Sequence, residues 1–329
     1  MNSSPRYDVR DRAAFRPIDV LLRWEFILAL LLLGVFAVGN WISPYFFDIW
    51  TLSDATFNFS EKAIIALPMA LLILTREIDL SVAAIISLSS LAMGLCAGLG
   101  YGPVPLAMIG IFVGAACGLF NGLLVTGLGL PSIVVTIGTM SLFRGIAQVV
   151  LGDQAVTTYP AGFSTLGQGY FLKWPPLPYS FVIFLLLALV FGIFLARTAT
   201  GRRLYAIGNN PVAAQFSGIR VDRMKLALFI LTGLMAGLAA FLLTSRIGST
   251  RPNIALGWEL EIITMVILGG VSISGGTGTI GGVVLAVFVL GFATLALSLI
   301  NVPGIVISVT IGCLLIAAIA LPIIVRRLI

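Results

Sequence analysis

Apolar residues run along this chain in long, nearly unbroken stretches, and Gly, Pro and small charge clusters mark where each one ends. Crossing about 30 Å of hydrocarbon takes roughly 20 helical residues. Ten stretches approach that length: Trp24 to Ile42, Glu61 to Thr75, Leu80 to Leu99, Pro105 to Thr126, Pro131 to Leu151, Leu177 to Ala196, Met224 to Ser245, Trp258 to Gly270, Ile280 to Ile300 and Gly304 to Val325. The second and eighth are too short for straight, isolated spans and are expected to be broken, tilted or buried among neighbours. The pattern predicts an all-α, polytopic membrane protein of about ten transmembrane helices, with a polar arm over residues 1–23 and one transmembrane domain over residues 24–329.

Composition supports that class. With 59% hydrophobic residues, 10% charged residues and a mean hydropathy of +1.12, the chain has too much apolar surface for one soluble core. The net charge of +6 raises nucleic acid as a partner, but the basic residues flank the apolar stretches instead of forming one face, which is the pattern of membrane insertion. If all ten stretches cross, Arg6, Arg10, Arg12, Arg16, Arg23, Arg76, Arg197, Arg202, Arg203, Arg220, Arg223, Lys225, Arg326 and Arg327 share the N-terminal side. Lys62, Lys173, Arg246 and Arg251 fall on the other, so both termini are expected in the cytoplasm. The arm before Trp24 lacks the layout of a cleaved signal, and the first span is expected to stay as an anchor.

Between Arg197 and Lys225 the chain turns polar and holds six of its nineteen basic residues. Asn210 suits a helix N-cap, Pro211 the first helical position and Gly218 a left-handed stop. Val212 and Phe216, four residues apart, would share one face of this two-turn helix. So short a helix needs its apolar face docked on something to stay ordered. The competing reading is a solvated loop between two spans.

Small residues and isolated charges mark the remaining features. Gly114, Gly118 and Gly122 in the fourth stretch, and Gly233 with Gly237 in the seventh, repeat at the four-residue spacing that lets membrane helices approach closely. Arg76, Glu77, Asp79 and Ser81 lie between the second and third stretches. They read either as part of a polar pathway or cytoplasmic gate, or as an interfacial turn capped by Asp79 or Ser81. Glu259 and Glu261 sit where they would favour a helix N-terminus. Arg144, inside the fifth stretch and following Thr136 and Thr139, requires an anion, carbonyls or water.

Catalytic chemistry is missing from this inventory. The sequence has no GxxxxGK[ST] loop, GxSxG elbow or HExxH, and the glycine-rich run from Leu268 to Gly282 lacks a lysine and reads as a tight reversal. With no His and no CxxC pair, the transition-metal ligands are also missing, and Cys96, Cys117 and Cys313 read as packing residues. No cofactor or metal is expected, and the protein is expected to move a substance instead of converting it.

Five segments, in order, carry a resemblance that extends from about Leu67 to Ala320. They are EIDLSVAA at Glu77 to Ala84, GLFNGLLVTGLGLPSIVVTIGTMSLFRG at Gly118 to Gly145, TGRRLYAIGNNPVAAQFSGI at Thr200 to Ile219, WELEIITMVILGG at Trp258 to Gly270 and GGTGTIGG at Gly275 to Gly282. Together they resemble the permease subunits of bacterial ABC sugar importers, the family of the ribose, arabinose, xylose, rhamnose and autoinducer-2 permeases. Arg76-Glu77 stands where many relatives have Gly-Gly, and Ala83 where they have Gly; the variant looks most like rhamnose-type permeases, with the autoinducer-2 type next.

The resemblance implies a ten-helix, inner-membrane permease half that imports a small sugar. Its partners would be a second permease subunit, identical or related, two cytoplasmic ABC ATPase subunits and a periplasmic sugar-binding protein, with membrane lipid around them. The ATPase-coupling residues would be Arg202, Arg203, Asn210, Pro211, Val212, Phe216 and Gly218; the translocation pathway or gate would draw on Asp79, Ser81, Asn121, Thr136, Thr139, Arg144 and Glu259. An ion-coupled secondary transporter and a non-transporting scaffold are the alternatives from other classes.

Overall fold

The computed structural model describes residues 24–313 and 316. The arm over residues 1–23, Arg326 and Arg327, and the end of the tenth stretch lie outside the described residues. In chain order the elements are α1 (Trp24–Ile42), α2 (Ile49–Leu74), α3 (Val82–Gly98), α4 (Pro103–Gly127), α5 (Ser132–Leu151), α6 (Thr165–Gln168), β1 (Tyr170–Lys173), β2 (Pro176–Pro178), α7 (Tyr179–Arg197), α8 (Ala199–Asn209), α9 (Pro211–Phe216), α10 (Val221–Ile247), α11 (Trp258–Leu268) and α12 (Ile280–Leu299). A shorter apolar helix, α13, covers Gly304–Cys313. Among the described residues, seven helices are long and apolar enough to cross a membrane: α1, α2, α4, α5, α7, α10 and α12.

The second apolar stretch corrects the sequence reading. It is the last part of α2, a 26-residue helix, and not a short span beginning at Glu61. The apolar pattern does not extend through its first half because Asp54, Asn58, Glu61 and Lys62 interrupt the run. All four find partners far along the chain, Asp54 accepting from the Tyr170 hydroxyl at 3.5 Å. Glu61, fully buried, accepts from Arg246 Nε at 2.7 Å, Arg246 Nη1 also donates to Asn58 at 3.1 Å, and Lys62 pairs with Glu261 and lies over the Trp258 ring. Ion pairing of this kind is what makes charge tolerable at membrane depth. The eighth stretch is short as expected: α11 has 11 residues, about 16 Å of helix.

Two features were invisible in the apolar pattern. The connection from α5 to α7 holds α6 and a small antiparallel hairpin, with Tyr170 opposite Pro178 and Lys173 opposite Pro176. The polar interval is also more than one short helix, because α8 precedes α9 and is started by Thr198, whose hydroxyl accepts from Gly201 N at 3.0 Å.

A close backbone contact joins α4 to α10. Here the two glycine stripes meet each other: a Cβ on Gly114 would lie 2.3 Å from Gly233 O, and one on Gly233 would lie 2.2 Å from Gly114 O. Only glycine fits where two backbones run this close, and in lipid such contact is the main source of helix association. α2 and α3 pack on the same α10, and α1, α2 and α12 enclose a layer of aromatic rings in which Phe36 and Phe59 both meet Phe292 edge-on.

Contacts sort the connections into two ends of the bundle. At one end, the C-terminus of α2, the N-termini of α1, α3 and α10, the α8/α9 pair and the 271–279 turn meet; Trp24 Nε1 donates to Leu268 O, and Glu25 accepts from Thr279. At the other, Val156 pairs with Thr250, and Gly167 N donates to Ser245, bringing the α5/α7 connection onto the end of α10.

Candidate functional site

Three groups of residues singled out in the sequence occupy three places in the fold. The first is α9. Asn210 is its N-cap, with Oδ1 accepting from Ala213 N at 3.0 Å, Pro211 fills the first turn, and Gly218 has φ +82° just beyond the last turn. Removing such a cap costs about 1 kcal/mol, so every punctuation mark read from the sequence is used. One side of α9 is anchored: Ala214 is buried and packs with Ile207 of α8 and Val221 of α10. The other side is bare. Phe216 is 89% exposed and Val212 60% exposed. Arg202 and Arg203 on α8 are exposed as well, so an aromatic knob and basic side chains stand free at one end of the bundle.

The second group closes into a buried polar node. Asp79 Oδ1 accepts from Ser81 N at 2.8 Å and from Ser81 Oγ at 2.6 Å; Asn121 Nδ2 of α4 donates to Ser81 Oγ at 2.8 Å and lies 3.4 Å from Asp79 Oδ2. The α5 side completes it. Thr136 Oγ1 donates to Ser132 O at 2.8 Å and reaches Ile78 O, Ser132 Oγ accepts from Ile78 N, and Thr139 donates to Thr136 O at 3.4 Å. Asp79, Ser81, Asn121 and Thr136 have no exposed surface. In this arrangement they hold the non-helical 75–81 turn together. The physical reason is that irregular backbone near hydrocarbon must be satisfied by neighbours.

The third group lies at the opposite end. Arg144 Nη1 donates to Pro252 O at 2.9 Å and Ile254 O at 3.2 Å, and Ser87 Oγ donates to Pro252 O at 2.9 Å. Of the three partners that the sequence allowed for this cation, the structure uses carbonyls. Glu259 stands in the first turn of α11 and makes no ion pair with Arg144. Because α11 supplies about half the needed depth, the 248–257 segment leading into it runs as irregular backbone, and Arg144 supplies the donors that segment lacks. Arg144→Met is therefore expected to destabilise the fold by about 1–3 kcal/mol, the cost of a buried acceptor left unpaired. A lowered unfolding midpoint in detergent would register it, and an unchanged midpoint would count against this role.

Sequence reasoning missed the role of Arg76 and Glu77 as partners of other elements, because those partners lie more than a hundred residues away. It also missed Tyr205 of α8, which donates to Gly278 O at 2.7 Å and whose phenol is pushed above the usual tyrosine range by burial.

Residues 51–319 match the family described as the branched-chain amino acid transport system / permease component. The chain belongs to this permease family. The permease is 35% identical over 303 residues to the autoinducer 2 import system permease protein LsrD of Escherichia coli, covering 90% of this chain and 91% of that one. The LsrD proteins of Shigella flexneri and Salmonella paratyphi B are 35% identical over the same length. No solved structure matches. The permease is thus a multi-pass membrane component of a bacterial ABC importer and not its catalytic part. The rhamnose-type subgroup to which the Arg76-Glu77 variant pointed gains no support from these relatives, all of which are named for autoinducer 2.

Proposed function

We propose that the permease imports autoinducer 2 or a related small sugar by alternating access, as one of two permease subunits served by two cytoplasmic ATPases and a periplasmic binding protein. The observation that carries this reading is the bare face of α9. A capped helix holding a phenylalanine in solvent at the basic end of a membrane bundle is a knob without a socket, and the chain has no phosphate loop with which to use ATP itself. Val212 and Phe216 would enter a groove on the ATPase, with Arg202 and Arg203 against acidic ATPase or lipid groups. Closure of the ATPases would then move α9 and the spans attached to it. This reading requires both termini to be cytoplasmic, in line with the distribution of basic residues.

The 35% identity to LsrD favours autoinducer 2 over rhamnose. Two arms test the proposal in vesicles carrying the permease with the ATPase, second permease and binding protein encoded beside it. Uptake of labelled autoinducer 2 that needs internal ATP and survives an uncoupler is the expected result. Rhamnose uptake in its place would reassign the substrate, and collapse of uptake with the ion gradient would support an ion-coupled carrier.

A further inference from the structure

The turn between α2 and α3 places an arginine where its backbone is uncomfortable. Arg76 has φ +69°, a left-handed conformation that costs a side-chain-bearing residue about 1 kcal/mol or more and that glycine adopts freely. A residue kept there against that cost is held by its side chain, and the contacts say by what. Arg76 Nε donates to Gly208 O at 2.7 Å and its Nη2 to Asn209 O at 2.8 Å. These are the last two carbonyls of α8, at the negative end of its dipole, where no intrahelical donor reaches them. The next residue, Asn210, is the N-cap of α9. One guanidinium thus grips the joint between α8 and the helix that presents Phe216.

The same turn reaches two further elements within five residues. Glu77 pairs with Lys225 in the second turn of α10, both side chains being largely buried. Asp79 and Ser81 engage Asn121 of α4. On the α2 side, Leu74 O accepts from Gly276 N of the 271–279 turn at 2.9 Å, and a Cβ on Gly208 would lie 2.1 Å from that carbonyl, so α2, α8 and the reversal before α12 are in backbone contact. α10 and α4 are in turn fused along their glycine stripes. The α8/α9 joint therefore has few independent ways to shift. α9 thus meets the bundle in two ways, directly on α10 through Ala214 and Val221, and through Arg76, whose neighbour Glu77 holds Lys225 of the same helix.

We infer that Arg76 and Glu77 form a mechanical linkage between the α9 knob and the α4/α10 pair, acting as positioning residues for transport and not as docking residues for the ATPase. The inference rests on the coupling role proposed for α9. Its signature is uncoupling: the ATPase still binds and hydrolyses ATP, but the work does not reach the transport route.

The test uses the complete importer, purified and reconstituted, and reads three quantities: ATPase retained on a tagged permease, ATP hydrolysed, and labelled autoinducer 2 taken up. Arg76→Gln and Glu77→Gln are expected to retain the ATPase as the unmutated permease does and to lower ligand imported per ATP at least tenfold. If either single variant is poorly folded, the exchanged pair Glu77→Lys with Lys225→Glu carries the test, and recovery of coupling by the pair above either single exchange supports the linkage. Normal import per ATP in Arg76→Gln and Glu77→Gln overturns it, as does a folded exchanged pair with no recovery. Loss of ATPase binding in Arg76→Gln also overturns it, since that makes Arg76 part of the dock. Failure of the underlying reading looks different: the unmutated permease would then import ligand without retaining an ATPase or using ATP.

Discussion

Placing an aspartate at position 216 is expected to reduce ATPase capture and ligand uptake to background while leaving the amount of permease in the membrane unchanged. Phe216 touches little in its own chain, with 89% of its surface free, so replacing it costs the fold almost nothing. Its worth lies in what covers it. Full burial of a phenylalanine side chain contributes about 1.5–3 kcal/mol, and an aspartate in the same apolar socket adds the cost of desolvating a charge. Together these terms are large enough to remove a complex of moderate affinity. Affinity purification through a tagged permease reads the first effect and vesicle uptake the second. ATPase capture at the unmutated level would overturn the role assigned to α9. Phe216→Leu, which keeps an apolar knob, should retain most of both.

The second large effect is expected at the α4/α10 seam. Gly233→Val would set a branched side chain against Gly114 O, with its Cβ only 2.2 Å from that oxygen, and no flexible side chain is present to move aside. The two helices would have to separate along their length, giving up the close backbone contact that holds them in lipid. Loss of folded, monodisperse protein in detergent is the expected outcome, with little material surviving to be assayed. Gly34→Ala on α1 is the matched control, since a Cβ there meets nothing within 4 Å. Equal yields of the two variants would show that the glycine seam is not what holds α4 to α10.

These two sites differ in how far they were legible in the sequence. The α9 helix could be read almost whole, because Asn210, Pro211 and Gly218 act on backbone within a few residues of themselves, and a cap needs no tertiary partner. The glycine stripes were legible as seams, yet nothing in either stripe says that the other is its mate. Glu61 and Lys62 were misread as the start of a span for the opposite reason. Their charge is tolerated only through Arg246, 185 residues from Glu61, and Glu261, 199 residues from Lys62, and a local pattern holds no trace of such pairing. Arg144 stands between these cases. Its need for carbonyls, an anion or water followed from its depth, but the choice of Pro252 and Ile254 followed from the shortness of α11, and only the folded chain puts the two facts together. Asp79 and Ser81 were legible as a polar turn or gate, and the structure joins them to Asn121 of α4, with Thr136 of α5 reaching Ile78 O beside them.

That shortness of α11 has a consequence for how the permease can open. The carbonyls of Pro252 and Ile254 are served by one guanidinium on α5. Any motion that draws α5 away from the 248–257 segment leaves Pro252 O to Ser87 alone and must hand Ile254 O to another donor. In hydrocarbon there is none, so such a motion is open to the protein only when water arrives at the same moment. The permease thus carries, at the end of the bundle opposite α9, a place where helix movement and wetting are one event.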